Sequence, residues 1–174
     1  MSEVVVPPDP EWRARFESER EALEAVLRPW LVAGIHHIGS TSIPRMPAKP
    51  ILDMMAGALS LACAPEAGMR LAELGYRSAP HRIDAALFVK GTRGADTHHL
   101  HLTMPESDLW IERLTFRDAV RADPRLAQEY AELKQRLLVA SGGRPYDAAG
   151  KRDFVRRVLA GAGVTLRDGL YSRQ

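Results

Sequence analysis

The stretch IHHIGSTSIPRMPAKPILDMM, residues 35–55, decides how the rest of the chain is read. Residues 35–38 form a short β-prone run that leads straight into Gly39-Ser40. A loop punctuated by Pro44, Pro47 and Pro50 follows and carries Arg45 and Lys49. Residues 49–58 hold a second apolar run whose single acid is Asp53. The expected order is strand, hydroxyl-bearing loop, strand, carboxylate.

That order suits a phosphate beside a metal ion. Glycine lets the backbone approach a ligand closely, and neighbouring N–H groups can form an anion-binding nest. The hydroxyls of Ser40, Thr41 and Ser42 add donors, and Arg45 and Lys49 supply positive charge. A carboxylate within an apolar strand is costly unless it is paired or metal-bound, and Mg²⁺ would use Asp53 together with phosphate oxygens. A plainer account uses the same residues. The serines then cap a short helix, and Asp53 pairs with Lys49 or with an arginine from the C-terminal helices. Spacing alone leaves both open.

On the N-terminal side, Val4-Val5-Val6 is β-prone and Asp9-Pro10 reads as a helix cap and first turn. Trp12, Phe16, Leu23, Val26 and Leu27 then recur at mostly helical spacing, predicting a helix over residues 11–27 that ends before Pro29. On the C-terminal side, a helix over residues 65–74 stops at Gly75, and residues 76–79 are extended. Residues 85–90 and 98–103 read as a hairpin around the loop GTRGAD. Helices follow over residues 107–122, 124–140 and about 147–160. In the middle one, Leu126, Tyr130, Leu133 and Leu137 form an apolar stripe. The expected fold is α+β: a small mixed sheet over about residues 31–104, an N-terminal helix, and about three C-terminal helices over 107–162. It is read as two layers. One domain is expected over residues 1–162, with 163–174 as a tail.

A second constellation is Thr97-His98-His99-Leu100-His101. On a strand, His99 and His101 share a face. They can chelate a divalent metal, contact phosphate or hydrogen-bond within a polar pocket. His36 and His37 alternate faces, so at most one can point at the site.

Composition bounds the rest. The chain has 174 residues, with 45% hydrophobic and 26% charged, which is ordinary for a globular domain. Its one cysteine, Cys63, excludes an intrachain disulfide and a Cys-rich zinc module. Net charge is +2 with basic residues dispersed among acids, which argues against a nucleic-acid surface. No apolar run approaches a membrane span, and the N-terminal segment lacks signal-peptide character. A cytoplasmic protein with a small phosphorylated ligand is the expectation.

With these residues set out, the chain resembles the GrpB-like family, whose fold belongs to the nucleotidyltransferase superfamily. The resemblance rests on DPEW (residues 9–12), HIGSTSIP (37–44), AKPILD (48–53), LGY (74–76), THHLHL (97–102) and LTFRD (114–118). The pattern P-x5-Y-x2-LK from Pro124 to Lys134, and K-x2-FV from Lys151, complete it. The resemblance implies a nucleoside triphosphate as ligand, Mg²⁺ as its metal, and transfer of a nucleotidyl group to a small acceptor. Gly39 and Ser40 match the phosphate-loop pair and Asp53 the first catalytic acid. The second acid of that superfamily falls at Met55, a departure that leaves one clear carboxylate where two-metal chemistry needs several. His99 and His101 are the substitutes the later strand offers, whereas Asp84 and Asp96 lie on no clear pocket-facing strand. The family commonly has Glu where this chain has His36, and Gly where it has Arg45. The family-like cations Arg117, Lys134 and Lys151 on the C-terminal helices are either clamps on a triphosphate or other anionic substrate, or exposed helix charges and partners of Asp118 and Asp153. The exposed reading is preferred for Arg117 and Lys134, and Lys151 is kept as the phosphate ligand. Met55 also motivates an alternative, a module that binds an anionic metabolite without turnover. A third reading is a metal site of Asp53, His99 and His101.

Overall fold

A computed structural model of the chain describes residues 5–80, 84–142 and 149–165. Helix α1 (Trp12–Leu27) leads into β1 (Leu31–Ile38) and β2 (Leu52–Ala58), then α2 (Ala64–Glu73). Three strands follow, β3 (Tyr76–Ala79), β4 (Ala85–Thr92) and β5 (Ala95–Thr103), then α3 (Asp108–Ala122), α4 (Pro124–Ala140) and α5 (Ala149–Gly161). The strands form one five-stranded sheet in the order β1-β2-β5-β4-β3. β2 and β5 are parallel, and the other pairings are antiparallel. The fold is thus the α+β arrangement around a small mixed sheet that the sequence suggests.

Strand β2 explains the layering. Its even positions Met54, Ala56 and Ala58 pack with Phe16, Leu23 and Leu27 of α1 and Ala67 and Leu71 of α2. Its odd position Met55 packs with Ile38 and with Leu109, Trp110 and Leu114 of α3. A strand apolar on both faces needs cover on both faces. The expected two layers are therefore three: α1 and α2, the sheet, then α3 with α4 and α5 beyond. Gly57 permits the close approach of α3, since a Cβ there would lie 2.9 Å from the Trp110 ring. Phe116 of α3, Tyr130 of α4 and Phe154 of α5 form an aromatic group that encloses Ile43 and Met46. This anchors the loop after Gly39 to the C-terminal helices.

Local signals set the helix ends. Ser107 Oγ accepts the Trp110 amide at 3.2 Å, and Asp123 Oδ1 accepts the Arg125 amide at 2.8 Å ahead of Pro124. Asp9 does not cap α1 as expected. It accepts the Glu11 amide at 2.9 Å in the preceding turn, and the helix starts at Trp12. β1 begins at Leu31 rather than Ile35. The hairpin strands also run on into GTRGAD, leaving Arg93-Gly94 as the turn. Val4, the helix start expected near residue 147, and the tail from residue 166 lie outside the described residues.

One irregularity matters for the site. β4 and β5 pair Lys90 with His98 but Gly91 with Asp96, so Thr97 is an extra residue, a β-bulge. The bulge turns Asp96 onto the face of His99, where alternation would have put it on the other.

Candidate functional site

Gly39 ends β1 with φ +67°, and residues 40–42 form one 3-10 turn. Only a residue without Cβ fits here. A Cβ on Gly39 would lie 2.8 Å from Asp53 Cβ and collide with its carboxylate. The Gly-Ser turn is therefore pressed against Asp53, which pairs with Ile38 across the β1–β2 ladder.

The turn sends its hydroxyls in different directions. Ser40 and Thr41 line a pocket of about 200 Å³ together with Lys49, Asp53, His99, Lys134 and Lys151. Ser42 turns back to cap Gly39, with its Oγ donating to the Gly39 carbonyl at 2.7 Å. Ser42 and Arg45 line a different, larger cleft on the α1 side, which Thr41 also borders. Arg45 has φ +59°, the left-handed backbone that a glycine at this position would adopt freely. The structure thus gathers Gly39, Ser40, Thr41, Lys49, Asp53, His99 and Lys151, and sets Ser42 and Arg45 apart.

Asp53 and His99 are register partners on the parallel strands β2 and β5. Their side chains meet at 3.1 Å, Asp53 Oδ1 to His99 Nδ1. The second ring nitrogen, Nε2, lies 3.5 Å from Asp96 Oδ2. Burial pushes the Asp53 carboxyl up, but the His99 hydrogen bond and the charges of His99, His101 and Arg113 outweigh it and hold it below the usual range. Burial likewise opposes charge on His99, but Asp53 and Asp96 together raise it above the ordinary histidine value. Both shifts favour a carboxylate–imidazolium pair.

His101 is buried opposite Met55 and does not line this pocket. Both nitrogens of His99 already face carboxylates. Among the described residues, no group of three or more His, Cys, Asp or Glu side chains is arranged to hold a metal ion. Among the described residues, Asp53 is the one carboxylate that lines the pocket, with Oδ1 engaged by His99 and Oδ2 against Gly39. One hard cation shared with phosphate oxygens fits such a donor set, and a pair of ions does not.

Lys134 is the site residue that the sequence reading placed at the surface. Only 7% of it is exposed, and its Nζ donates to Ser40 Oγ at 3.2 Å and to the Pro47 carbonyl at 2.6 Å. It stands one helical turn after Tyr130 and lies over that ring at 5.0 Å. Burial and the nearby Lys151 charge lower its pKa from 10.5 to about 8. The available signal was its i+4 spacing from Tyr130 on the apolar stripe. Arg117 is also less exposed than expected, at 14% of its side chain, and donates to the His37 carbonyl at 3.1 Å. His37 faces α1, stacks on Phe16 at 4.7 Å, and meets Thr41 Oγ1 at 3.0 Å. Burial and then the Arg121 charge lower it to about 4, so it is neutral.

Known proteins share this framework. Poly(U) polymerase Cid1 bound to a UTP analogue superposes with a TM-score of 0.51 at 12% identity, over 76% of this chain and 42% of that one. This shows a nucleotidyltransferase-type fold. The protein GrpB from Enterococcus faecalis superposes with a TM-score of 0.80 at 26% identity, covering 91% of this chain and 96% of that one. By sequence, the glutamate-rich protein GrpB of Alkalihalophilus pseudofirmus is 34% identical over 155 residues, 85% of this chain and 88% of that protein. The UPF0157 protein YqkA of Bacillus subtilis is 37% identical over 127 residues, of which this chain covers only 37% of the length. Residues 3–160 match the model of the GrpB protein family. From the opening helix through the Gly-Ser turn to α5, the chain belongs to the GrpB family.

Proposed function

We propose that the pocket between the Gly39-Ser40 turn and α4 binds the phosphates of a nucleoside triphosphate. One observation carries this reading: a buried lysine amine, Lys134 Nζ, is held on Ser40 beside Asp53. Lys49 and Lys151 approach the same space from two other segments. Three ammonium groups, a hydroxyl and a close-approaching backbone form an anion site, and phosphate oxygens are the ligand that repays their mutual repulsion. The fold neighbours supply the nucleotide class, since Cid1 holds a UTP analogue.

The chain's own residues then divide the work. Lys134 and Ser40 orient the phosphate tail, and Asp53 would hold a Mg²⁺ brought with the triphosphate, which when bound would neutralise phosphate charge. His99 keeps Asp53 ionised and fixes its rotamer. Transfer of the nucleotidyl group to a small acceptor is the reaction proposed for this arrangement.

Met55 favours a second reading, binding without transfer. It is fully buried under α3 where the superfamily's second acid would stand, and it provides no oxygen. Pyrophosphate release from the four common ribonucleoside triphosphates in Mg²⁺ separates the two. Release that vanishes in Asp53→Asn supports transfer. Saturable triphosphate binding without release, weakened in Lys134→Met, supports the binding module. Neither binding nor release would sink both.

A further inference from the structure

On the α1 side of the Gly-Ser turn lies the larger cleft, of about 960 Å³. We propose that it is a second ligand site, separate from the Asp53 pocket, and that it takes a phosphorylated small molecule with an apolar body. Among the described residues, Thr41 is the one that lines both cavities. The inference therefore does not depend on what the Asp53 pocket binds.

The charge balance points to an anion. Arg13 and Arg20 of α1, Arg45 of the loop, and Arg117 and Arg121 of α3 all line the cleft. The acids there are Asp9 and Glu17, and both are engaged, Asp9 by Arg15 at 3.3 Å and Glu17 by Arg20 at 2.8 Å. Arg13 and Arg45 have no carboxylate partner among the described residues. Glu24 also holds Arg20, at 2.8 Å, and Asp118 holds Arg117, at 2.7 Å, so among the described residues the charge without a carboxylate contact lies on Arg13, Arg45 and Arg121. Guanidinium groups so gathered repel one another. Burial and then the Arg117 charge hold Arg121 below the usual arginine range, with Arg13 adding to the effect. A bound anion offsets that repulsion.

The cleft is also built rather than incidental. Arg121 donates twice to the Ser42 carbonyl, at 2.8 and 2.6 Å, and Arg117 donates to the His37 carbonyl. Two of the forks are thereby fixed in place before any ligand arrives, which lowers the cost of binding. The floor is apolar and uncharged: Phe16 stacked on neutral His37, with Trp12 and Ile43 buried beside them. The volume matches that of small-molecule sites. The basic character does not continue along α1, where Glu11 just ahead of the helix and Glu21 within it are exposed. A nucleic acid would need a longer basic track.

The test is calorimetric titration of inorganic pyrophosphate into metal-free protein. Wild type is expected to bind at two sites. Arg13 and Arg45 are both exposed, so Arg13→Ala/Arg45→Ala keeps the fold, which near-UV circular dichroism checks. This variant should weaken one site by about tenfold or more and leave the other unchanged. Lys134→Met should do the reverse, which keeps this proposal and the Asp53 reading apart. No pyrophosphate binding sensitive to the two arginines would overturn the proposal. So would an oligoribonucleotide that displaces pyrophosphate from the arginine-sensitive site at lower concentration than any mononucleotide.

Discussion

Lys134 is the most exposed point of the account, because its burial has a measurable consequence in the free protein. Its pKa falls from 10.5 to about 8 on folding. At pH 7 the side chain is charged in both the folded and unfolded states, and the folded state carries the full cost of confining that charge. The shift corresponds to about 3 kcal/mol. As pH rises past 8, the native protein loses the proton ahead of the unfolded chain, so stability rises with pH until the unfolded lysine also titrates. Between pH 7 and pH 9 wild type should gain about 1 kcal/mol from this group. Lys134→Met cannot titrate there. It also loses the bonds to Ser40 and the Pro47 carbonyl, so its stability at neutral pH reflects two opposing effects. The decisive quantity is the pH dependence of the difference. Urea unfolding of both proteins from about pH 7 to pH 9 should show wild type gaining on the variant as pH rises. Parallel curves across that range would refute a buried, charge-destabilised lysine on Ser40.

The remaining predictions concern the same framework. Gly39→Ala should destabilise by about 2–4 kcal/mol, from left-handed strain plus the clash with Asp53, and should abolish triphosphate binding; chemical denaturation and calorimetry measure the two. Arg45→Gly should stabilise by about 0.5–1 kcal/mol by relieving the left-handed backbone, net of unfolded-chain entropy, read as a raised unfolding midpoint. Asp53→Asn should drop the His99 pKa below its wild-type value, seen in the pH titration of the imidazole NMR signals, because one of its two raising carboxylates is gone and Asp96 remains. His37 must gain a proton on unfolding in acid, since its native pKa is about 4 against an ordinary 6.5. Wild type should lose up to about 3 kcal/mol from this residue between pH 6.5 and 4, and His37→Gln should flatten that slope.

Much of the site was readable because its geometry follows from strand alternation. Gly39-Ser40 follows one strand and Asp53 lies near the start of the next, opposite Ile38, so antiparallel pairing alone brings them together. His99 arrives by the parallel register of β5 on β2, which alternation could place on the right face but not opposite Asp53. What stayed hidden depends on departures from regular geometry or on packing between distant segments. A single extra residue, Thr97, rotates Asp96 onto the His99 face, and nothing in GTRGAD announces a bulge. The 3-10 turn splits three adjacent hydroxyls between two cavities, so Ser42 and Arg45 leave the pocket that their neighbours line. Lys134 reads as a surface charge in a charged helix. Only the docking of α4 over the Gly-Ser turn, through Tyr130 and the aromatic group, buries it.

The central claim is that the Gly39-Ser40 turn and Lys134 hold the phosphates of a nucleotide. A crystal structure with Mg²⁺ and a non-hydrolysable nucleoside triphosphate tests it most directly. The account predicts phosphate oxygens within hydrogen-bonding distance of Ser40 Oγ and Lys134 Nζ, with one Mg²⁺ between them and Asp53. Phosphates bound elsewhere on the chain, with Lys134 still closed onto Ser40 and the Pro47 carbonyl, would contradict it.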